Sequence, residues 1–434
     1  MSKQYNTSHS TNSCLSLPHG KVISIDFSGG NVTSDSGVIL LAEIDARIGL
    51  TESIASCIKD TRQPGKIIHP LQEMIQQRTF QISCGYEDCN DAQTLRNDPA
   101  FKIAVGKKPE TDDDLSSQPT LSRLENSITP RELYRMEEQF LKLFIKSQRD
   151  KDVRRIVIDC DATDDPTHGN QQLTFFQAYY DCYCYLPLIV CATVNDEKQQ
   201  HLVGAVLCPS NRHPGKNSIG IISRIIRYLR SAFPSTEFIL RSDSGFALPE
   251  IYEWCEKEHV NYVISISKNN RLLGKALPYR ASSCLLHQFT GQKTQLFGQF
   301  YYSADSWTRE RRIIVKAEYL KKGENVRFVI TNIAYASPEE LYHFYCQRGD
   351  MENRIMEIKN HLKADRTSCT SFLANQFRLF LHSCAFILIQ ALQDMLTGTE
   401  LENAQADTIR VKLLKIGARI KESVRRIWIH CATG

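Results

Sequence analysis

The chain contains no pair of cysteines at the C-x2-C spacing, and its fifteen cysteines are an odd number scattered over 434 residues. The closest two are Cys182 and Cys184, and alternation along a strand would point both side chains the same way. A disulfide framework or a structural zinc site is therefore not expected, and this cysteine usage indicates a reducing cytoplasm. The first twenty residues are polar and lack the apolar core of a signal sequence.

The sequence also lacks a strong excess of charge of one sign. The formal net charge is only +4, so any binding of nucleic acid would have to come from local basic patches. The most apolar segment, 373–392, contains Arg378 and His382, which favours a core or interface helix over a membrane span. No membrane partner is therefore expected, and the composition is that of an ordinary globular protein.

Composition and periodicity divide the chain into six parts. We predict a disordered tail at 1–20, a mainly helical region at 21–150, the first part of an α/β core at 151–271, an inserted antiparallel β unit at 272–335, completion of the core at 336–400, and a basic helix at 401–434.

Within the core, three β-prone segments at 153–159, 183–194 and 201–207 predict an antiparallel meander. A helix, a strand, a helix and a strand follow at 219–233, 238–240, 248–259 and 262–266. Further strands are predicted at 297–303, 311–319 and 326–332, and further helices at 69–80, 132–147, 338–362, 373–397 and 408–429. This order predicts a mixed sheet with helices on its faces.

Two aspartates follow predicted strands of the core. Asp161 lies just beyond 153–159, and Asp243 lies just beyond 238–240. In open sheets of this kind, reactive groups gather where neighbouring strands end. Each aspartate alone is also an ordinary turn residue, and Asp159 competes with Asp161 for the first position.

A polar stripe marks the predicted helix 338–362. At about 100° per residue, its four residues fall within an arc of roughly 60°; they are Tyr345, Arg348, Glu352 and Lys359. Glu357 competes with Glu352 but lies about 140° around the helix from it. Mixed-charge faces are often only solvated surfaces. Together with the two aspartates, however, the stripe suits a carboxylate that binds a divalent metal beside cations that hold phosphates.

The spacing Y-x2-R-x3-E-x6-K of this stripe resembles the signature of a large group of bacterial DDE transposases. Asp161-Ala162-Thr163 and Arg241-Ser242-Asp243 resemble the first and second acid motifs of that group. The segments 85–88, 118–126, 161–169 and 185–188 are similar to the insertion-sequence 1380 branch. The similarity extends from about residue 25 to the carboxyl end.

The resemblance implies an RNase H-like mixed-sheet core with a β insertion before the last acid. It implies that Asp161, Asp243 and Glu352 are both catalytic residues and ligands of two Mg2+ ions, with Mn2+ as a substitute. It also implies binding of double-stranded DNA at terminal inverted repeats, strand cleavage by water, and joining to target DNA. The expected setting is the nucleoid of a bacterial cytoplasm, with a homodimer formed when two DNA ends are paired.

Several residues are candidate DNA contacts. The resemblance carries Tyr345, Arg348 and Lys359 over as contacts to terminal phosphates. The predicted basic helix at the carboxyl end adds Arg410, Lys412, Lys415, Arg419, Arg425 and Arg426, although a solvated helix would look the same. Trp307 would stack on an unpaired base, unless it packs in the core. The segment 118–123 would open a recognition helix or a plain capped helix in the region 21–150, which we expect to bind DNA ends.

Other functions compete with the transposase reading. Asp159-x-Asp161-x-Thr163 after a strand also matches the first motif of haloacid-dehalogenase-type phosphatases, in which Asp159 would be the nucleophile. A DNA-binding protein that has lost catalysis would lack one of the three acids, and all three are present. A nuclease that cuts without joining stays open, because joining needs no residue that cleavage lacks.

Overall fold

Runs of Val, Ile and Leu form the strands of the computed structural model, which describes residues 13–16, 22–25 and 28–433. Within this part of the chain the strands are β1 (Ser13–Ser16), β2 (Val22–Ile25), β3 (Val32–Thr33), β4 (Arg155–Ala162), β5 (Asp165–Pro166), β6 (Phe175–Gln177), β7 (Cys182–Tyr185), β8 (Leu188–Val194), β9 (His201–Val206), β10 (Glu237–Ser242), β11 (Asn261–Ile266), β12 (Thr294–Tyr302), β13 (Arg311–Leu320), β14 (Gly323–Thr331), β15 (Ala418–Glu422) and β16 (Ile427–Cys431).

The helices alternate with these strands in the core and dominate the amino-terminal region. They are α1 (Val38–Ile48), α2 (Leu50–Ala55), α3 (Leu71–Ser83), α4 (Ala92–Leu95), α5 (Pro99–Ala104), α6 (Gln118–Ser127), α7 (Pro130–Gln148), α8 (Pro214–Ala232), α9 (Pro249–Lys257), α10 (Asn270–Lys275), α11 (Leu277–Thr290), α12 (Pro338–Cys346), α13 (Gly349–Met356), α14 (Phe372–Asp394) and α15 (Ala406–Ile409).

Eight strands form one mixed sheet in the order β12-β13-β14-β11-β10-β4-β8-β9. Strand β10 pairs in parallel with β4 and β11, and the other neighbours are antiparallel. The predicted order of core elements and the antiparallel arrangement of β4, β8 and β9 are confirmed. The segment 183–194 is two strands rather than one, because β7 pairs with β5 and β6 in a separate small sheet.

The strands predicted as an inserted unit do not form a sheet of their own. Strands β12, β13 and β14 continue the main sheet, since β14 pairs with β11. Two helices that were not predicted, α10 and α11, precede them. Tyr279 of α11 lies so close over Gly298 of β12 that a Cβ there would be 2.0 Å from its ring. The predicted unit at 272–335 is therefore mixed in structure and extends one edge of the core.

Helices cover both faces of the sheet. Helices α8 and α9 share one apolar cluster with side chains of β4, β10 and β11. The amino-terminal helices share another with α14 and with β8 and β9. Helix α14 is the one described helix long and apolar enough to cross a membrane, and 83% of its most apolar window is buried inside the protein. On this same face, α12 packs its Leu341 and Tyr342 against β10 and β11.

The predicted basic helix at 401–434 is wrong. The chain forms the short helix α15, a π-helical turn at Arg410–Leu414, and then the hairpin of β15 and β16. Strand β15 also pairs with β3 near the start of the described chain. The tail prediction at 1–20 is wrong for Ser13–Ser16, which pair with Val22–Ile25; the rest of that tail lies outside the described residues.

Candidate active site

Asp161 and Asp243 lie level with each other at the carboxyl ends of two neighbouring parallel strands. In the register of β4 and β10, Cys160 pairs with Ser242; Asp161 is the next residue of β4, and Asp243 directly follows the end of β10. Residues paired in a sheet point to the same face. Asp161 therefore points, like its partner Ile189, to the face opposite to that of Cys160. The expectation that both aspartates lie beyond their strands holds for Asp243 but not for Asp161, because β4 extends to Ala162.

The two carboxylates are close enough to affect each other. Burial and the charge of Asp243 raise the pKa of Asp161 to about 6, although Arg348 opposes this shift. Asp161 accepts hydrogen bonds from its neighbour's amide, Ala162 N, at 2.9 Å and from Arg348 at 2.8 Å. Asp243 accepts one from the amide of Gly245 at 2.9 Å. The site thus brings together two negative charges that favour a cation between them.

The predicted helix 338–362 is three segments rather than one. Helix α12 ends at Cys346, α13 begins at Gly349, and a π-helical turn follows at Glu357–His361. Arg348 lies at the junction of α12 and α13. Its guanidinium bonds Oδ2 of Asp161 at 2.8 Å and Oε1 of Glu352 at 2.7 Å. This arginine therefore links the helix carrying Glu352 to the strand carrying Asp161.

The three acids do not form a finished metal site. Among the described residues, no three His, Cys, Asp or Glu side chains are placed to hold one ion together. Arg348 lies between Asp161 and Glu352 and forms an ion pair with each. The donor set suits a divalent cation in its chemistry, since all three are carboxylates. The side chain of Glu352 is 64% exposed.

Asp159 has a structural position below these acids. It is fully buried, and its carboxylate accepts two hydrogen bonds from Arg241, at 2.7 and 2.8 Å, and one from Gln200. Arg241 also donates to the carbonyl of Phe344 in α12 at 2.7 Å. Asp159 thus fixes the arginine that ties β10 to α12, and it has no free face for attack on a substrate.

Two other predicted residues, Lys359 and Tyr345, lie near these acids. Lys359, in the π-helical turn, binds Asp164 at 2.5 Å, just beyond the end of β4. Tyr345 places its phenol beside Arg348. Glu357 points inward, where it is buried and pairs with Arg354 at 3.3 Å. The stripe of Tyr345, Arg348, Glu352 and Lys359 thus adjoins the two aspartates, whereas Glu357 does not.

Sequence reasoning missed an aromatic residue near the acids. Burial and the charges of Asp164, Asp161 and Asp243 raise the pKa of Tyr180 to about 12, which places its phenol in their field. Tyr180 lies in the turn between β6 and β7, beside the exposed ring of Tyr179. The signal was the aromatic density of 175–185, where six of eleven residues are Phe or Tyr.

The predicted stacking residue Trp307 is partly buried and packs against the core. Its ring packs edge-on against Tyr252 and Tyr302, and the guanidinium of Arg311 lies over it. This is the packing role that the sequence left open, and stacking of Trp307 on DNA stays a prediction. The rings of Trp307, Tyr252 and Tyr302 pack together where β12 ends and β13 begins.

The predicted basic contacts at the carboxyl end separate into two groups. Arg410 bonds the carbonyls of Ser83 and His361, and Lys415 binds buried Asp35 at 2.8 Å beneath the ring of Tyr86. Both hold the protein together internally. The remaining predicted cations are exposed: Lys412, Arg419, Arg425 and Arg426. Arg425 and Arg426 lie in the turn of the β15–β16 hairpin.

Comparison with known proteins agrees with this geometry. The family described as transposase DDE domain group 1 matches residues 15–434, which is nearly the whole chain. No curated protein matches. The matched span includes the mixed α/β sheet, the two level aspartates and the helices that pack over them. The chain therefore belongs to the DDE-domain transposases.

Proposed function

We propose that this protein is a transposase of the insertion-sequence 1380 type, with the Tyr-Arg-Glu-Lys signature at Tyr345, Arg348, Glu352 and Lys359. It binds the terminal inverted repeats of its element, cleaves the DNA strand with water, and joins the freed 3′-hydroxyl to target DNA. Asp161, Asp243 and Glu352 are its catalytic acids. It works in a bacterial cytoplasm at the nucleoid, as a homodimer when two DNA ends are paired.

One observation carries this proposal. Asp161 in β4 and Asp243, which directly follows the parallel neighbour β10, lie at the same level, and Arg348 ties Glu352 to Asp161. A purely structural ion pair would not need a second aspartate at the same level, whose charge makes ionisation of Asp161 harder. Repelling carboxylates at strand ends are instead typical of sites that bind cations or reacting groups.

The residues fit a pair of divalent ions once Arg348 moves. Bound between the carboxylates, such ions would supply activation of the attacking oxygen and stabilisation of the leaving oxygen. Arg348 and Lys359 both pair with acids at 2.8 Å or less. A DNA phosphate offers each cation an alternative anion, and arginine can hold it bidentately. DNA binding would thus free Glu352 to join the aspartates.

The hairpin of β15 and β16 supports binding of the DNA backbone. Its exposed cations include Arg419, Lys421, Arg425 and Arg426, and Arg426 lies 5.7 Å from the ring centre of Trp428. Cations attract phosphates without regard to sequence. The hairpin, rather than the predicted basic helix, therefore presents the cations that would contact DNA phosphates.

Asp159 is not placed to act as the nucleophile of a phosphatase. Asp159 is fully buried, and both of its oxygens are engaged by Arg241. A phosphatase nucleophile must meet its substrate in line, whereas this carboxylate faces only protein groups.

The test is a cleavage and joining assay. Purified protein is incubated with Mg2+ and duplexes that carry the labelled ends of the element, found as inverted repeats flanking the gene. We expect 3′-end cleavage and strand transfer by the natural protein, and a loss of at least about 100-fold on removing a carboxylate that holds the metals. The variants are Asp161→Asn, Asp243→Asn and Glu352→Gln.

Asp350→Asn is the matched control, because Asp350 is exposed on the same helix as Glu352. It should cleave like the natural protein. Cleavage without joining would indicate a nuclease and remove the strand-transfer part of the proposal. Activity that survives in all three acid variants would remove the catalytic assignment.

A further inference from the structure

A cleft of about 730 Å3 opens at the amino ends of β4 and β10, at the opposite end of these strands from the candidate catalytic acids. Its walls come from the last turns of α7 and α8 and from the segments that lead into the two strands. The lining residues on which the argument depends are Lys142, Lys146, Arg149, Lys151, Tyr228, Phe233 and Ser235. Strand β10 has six residues at about 3.3 Å each, so the cleft lies about 20 Å from Asp243.

The cleft is strongly basic. Lys142, Lys146 and Arg149 are exposed, and none of them forms an ion pair with a described residue. Lys151 pairs at 2.9 Å with Glu197, which does not line the cleft. Among the described residues, no Asp or Glu contributes to the walls. Three cations therefore face one concave space without a carboxylate to balance them.

Part of this charge has a structural role. Helices α7 and α8 both end at the cleft, and the free carbonyls at a helix carboxyl end amount to about half a negative charge. Lys146 also donates to the carbonyl of Ile48 at 3.4 Å. The two helix ends together offset about one positive charge, so about two of the three remain uncompensated. An excess of this size in a concave site favours an anionic ligand.

The other lining groups suit a nucleotide. Tyr228 and Phe233 are half-buried and supply aromatic surface. The hydroxyls of Tyr228 and Ser235 bond no described residue, so both can donate to a ligand. The volume lies within the range of small-ligand sites, roughly 300–1,000 Å3. A concave site between two helix ends fits a small ligand better than the convex backbone of a DNA duplex.

We propose that this cleft binds a small anion with two or more linked phosphates, and that a nucleoside triphosphate fits its size and its aromatic wall. Lys142 and Arg149 would hold the phosphates, since lysine offers a point charge and arginine a bidentate fork. Tyr228 would lie against the base. The site does not depend on the proposed function, because it lies at the far end of the strands from the catalytic acids.

The experiment measures the binding of ATP by fluorescence anisotropy. The probe is ATP labelled on its ribose, titrated with protein in the absence of divalent metal and of DNA. Unlabelled ATP, AMP, inorganic triphosphate and sulfate then compete at constant ionic strength. The double variant Lys142→Ala/Arg149→Ala is compared with Lys321→Ala/Lys322→Ala. The control pair is exposed in the β13–β14 turn and changes the net charge equally.

The natural protein should bind the probe, and ATP and inorganic triphosphate should displace it better than AMP, because they carry the linked phosphates. Lys142→Ala/Arg149→Ala should lose about tenfold or more in affinity, the effect of about one charge-assisted hydrogen bond. The control pair should bind like the natural protein. ATP should raise the melting temperature of the natural protein and of the control, but not of the double variant. The same melting curves show that each variant is folded, and Lys142→Gln/Arg149→Gln repeats the test.

Three results would overturn the assignment. One is an unchanged affinity for ATP in the folded double variant. Another is displacement of the probe by sulfate or AMP as effectively as by ATP, which would mean unspecific attraction of anions. The third is an equal loss of affinity for ATP and for a DNA duplex in the double variant, which would assign these cations to the DNA backbone. Failure of the natural protein to cleave its element's ends in Mg2+ would count against the proposed function and leave the cleft unaffected.

Discussion

Arg241 is the residue that joins the two halves of the candidate site. It pairs with Asp159 across β4 and β10 and reaches the carbonyl of Phe344, four residues before Arg348. Its guanidinium also lies 4.8 Å from the centre of the Phe344 ring. The buried pair of Arg241 and Asp159 therefore fixes the position of α12 relative to the sheet, and with it the position of Arg348.

Replacing Arg241 with Met should destabilise the protein by about 3–5 kcal/mol, because it leaves the buried charge of Asp159 without its partner. The double variant Asp159→Leu/Arg241→Met removes both charges and should recover most of that loss. Urea unfolding followed by circular dichroism measures both. An Arg241→Met protein as stable as the natural one would contradict the buried-pair account.

The buried carboxyl group of Asp165 should make the free energy of unfolding depend on pH. Burial raises the pKa of Asp165 to about 7, against the hydrogen bond from Thr367. Between about pH 4 and pH 7 the folded protein keeps a proton that the unfolded chain releases, so this group makes stability fall as pH rises through that window. Asp165→Asn cannot ionise and should remove this loss, gaining at least about 1.4 kcal/mol at pH 8, the value of one pKa unit.

The measurement is the free energy of unfolding of both proteins at pH 5 and pH 8. The advantage of Asp165→Asn should be larger at pH 8. Asp152→Asn is the control, since its carboxylate is 87% exposed and should give no pH-dependent difference. An advantage that is the same at both pH values would exclude a raised pKa at Asp165.

At the scale of elements, the hairpin of β15 and β16 presents an exposed basic turn. Replacing Arg425 and Arg426 with Ala should weaken DNA binding and lower the salt slope by up to about 2, because each contact with a phosphate contributes roughly 0.9. The control is Arg154→Ala/Lys198→Ala, at the end of β4 that is remote from Asp161. It changes the net charge equally and should leave the slope unchanged. Anisotropy titrations over a range of salt concentrations measure both. Equal slopes in the two double variants would remove the hairpin from the DNA interface.

The sequence predicted the core elements well because their signals are local. Strand β4, helix α8 and strand β11 each follow from an uninterrupted run of residues with one period. The positions of Asp161 and Asp243 followed from the ends of such strands. That the two aspartates lie level with each other could not be predicted, because the register of two strands depends on pairing between distant segments.

The carboxyl end was mispredicted because its pairing is not local. Its apolar residues fit a helical spacing, but Ala418 and Ile420 also alternate as strand residues do. Strand β15 is held by β3, and the hydroxyl of Ser36 bonds the carbonyl of Ile416 across 380 residues of sequence. The role of Arg348 between two acids was likewise hidden, because the stripe showed which residues share a face and not what they meet.

At the scale of the whole molecule, the chain's carboxyl end closes on its amino-terminal helices. Lys415 binds Asp35, and Gly37 lies against the backbone of Leu413 and Leu414. A Cβ at residue 37 would stand 1.8 Å from the carbonyl oxygen of Leu413, and a backbone neighbour cannot give way easily. The segment just before α1 and the segment after α15 are therefore packed together.

Gly37→Ala should consequently lower stability by about 1–3 kcal/mol or more, the usual cost of overpacking a tight contact. Gly65→Ala is the control, because no described atom lies within 4 Å of the place its methyl group would take. Thermal unfolding compares the two variants with the natural protein. A Gly37→Ala protein that melts with the control would mean that the contact of Gly37 with the backbone of Leu413 is looser than described.

The central claim is that Asp161, Asp243 and Glu352 converge on divalent ions once DNA draws Arg348 away. The most direct measurement is anomalous diffraction at the manganese edge from crystals of the protein bound to its DNA end in Mn2+. The account predicts manganese peaks within bonding distance of oxygens of all three carboxylates, with Arg348 on a phosphate. Manganese bound elsewhere, with Arg348 still joining Asp161 to Glu352, would contradict it.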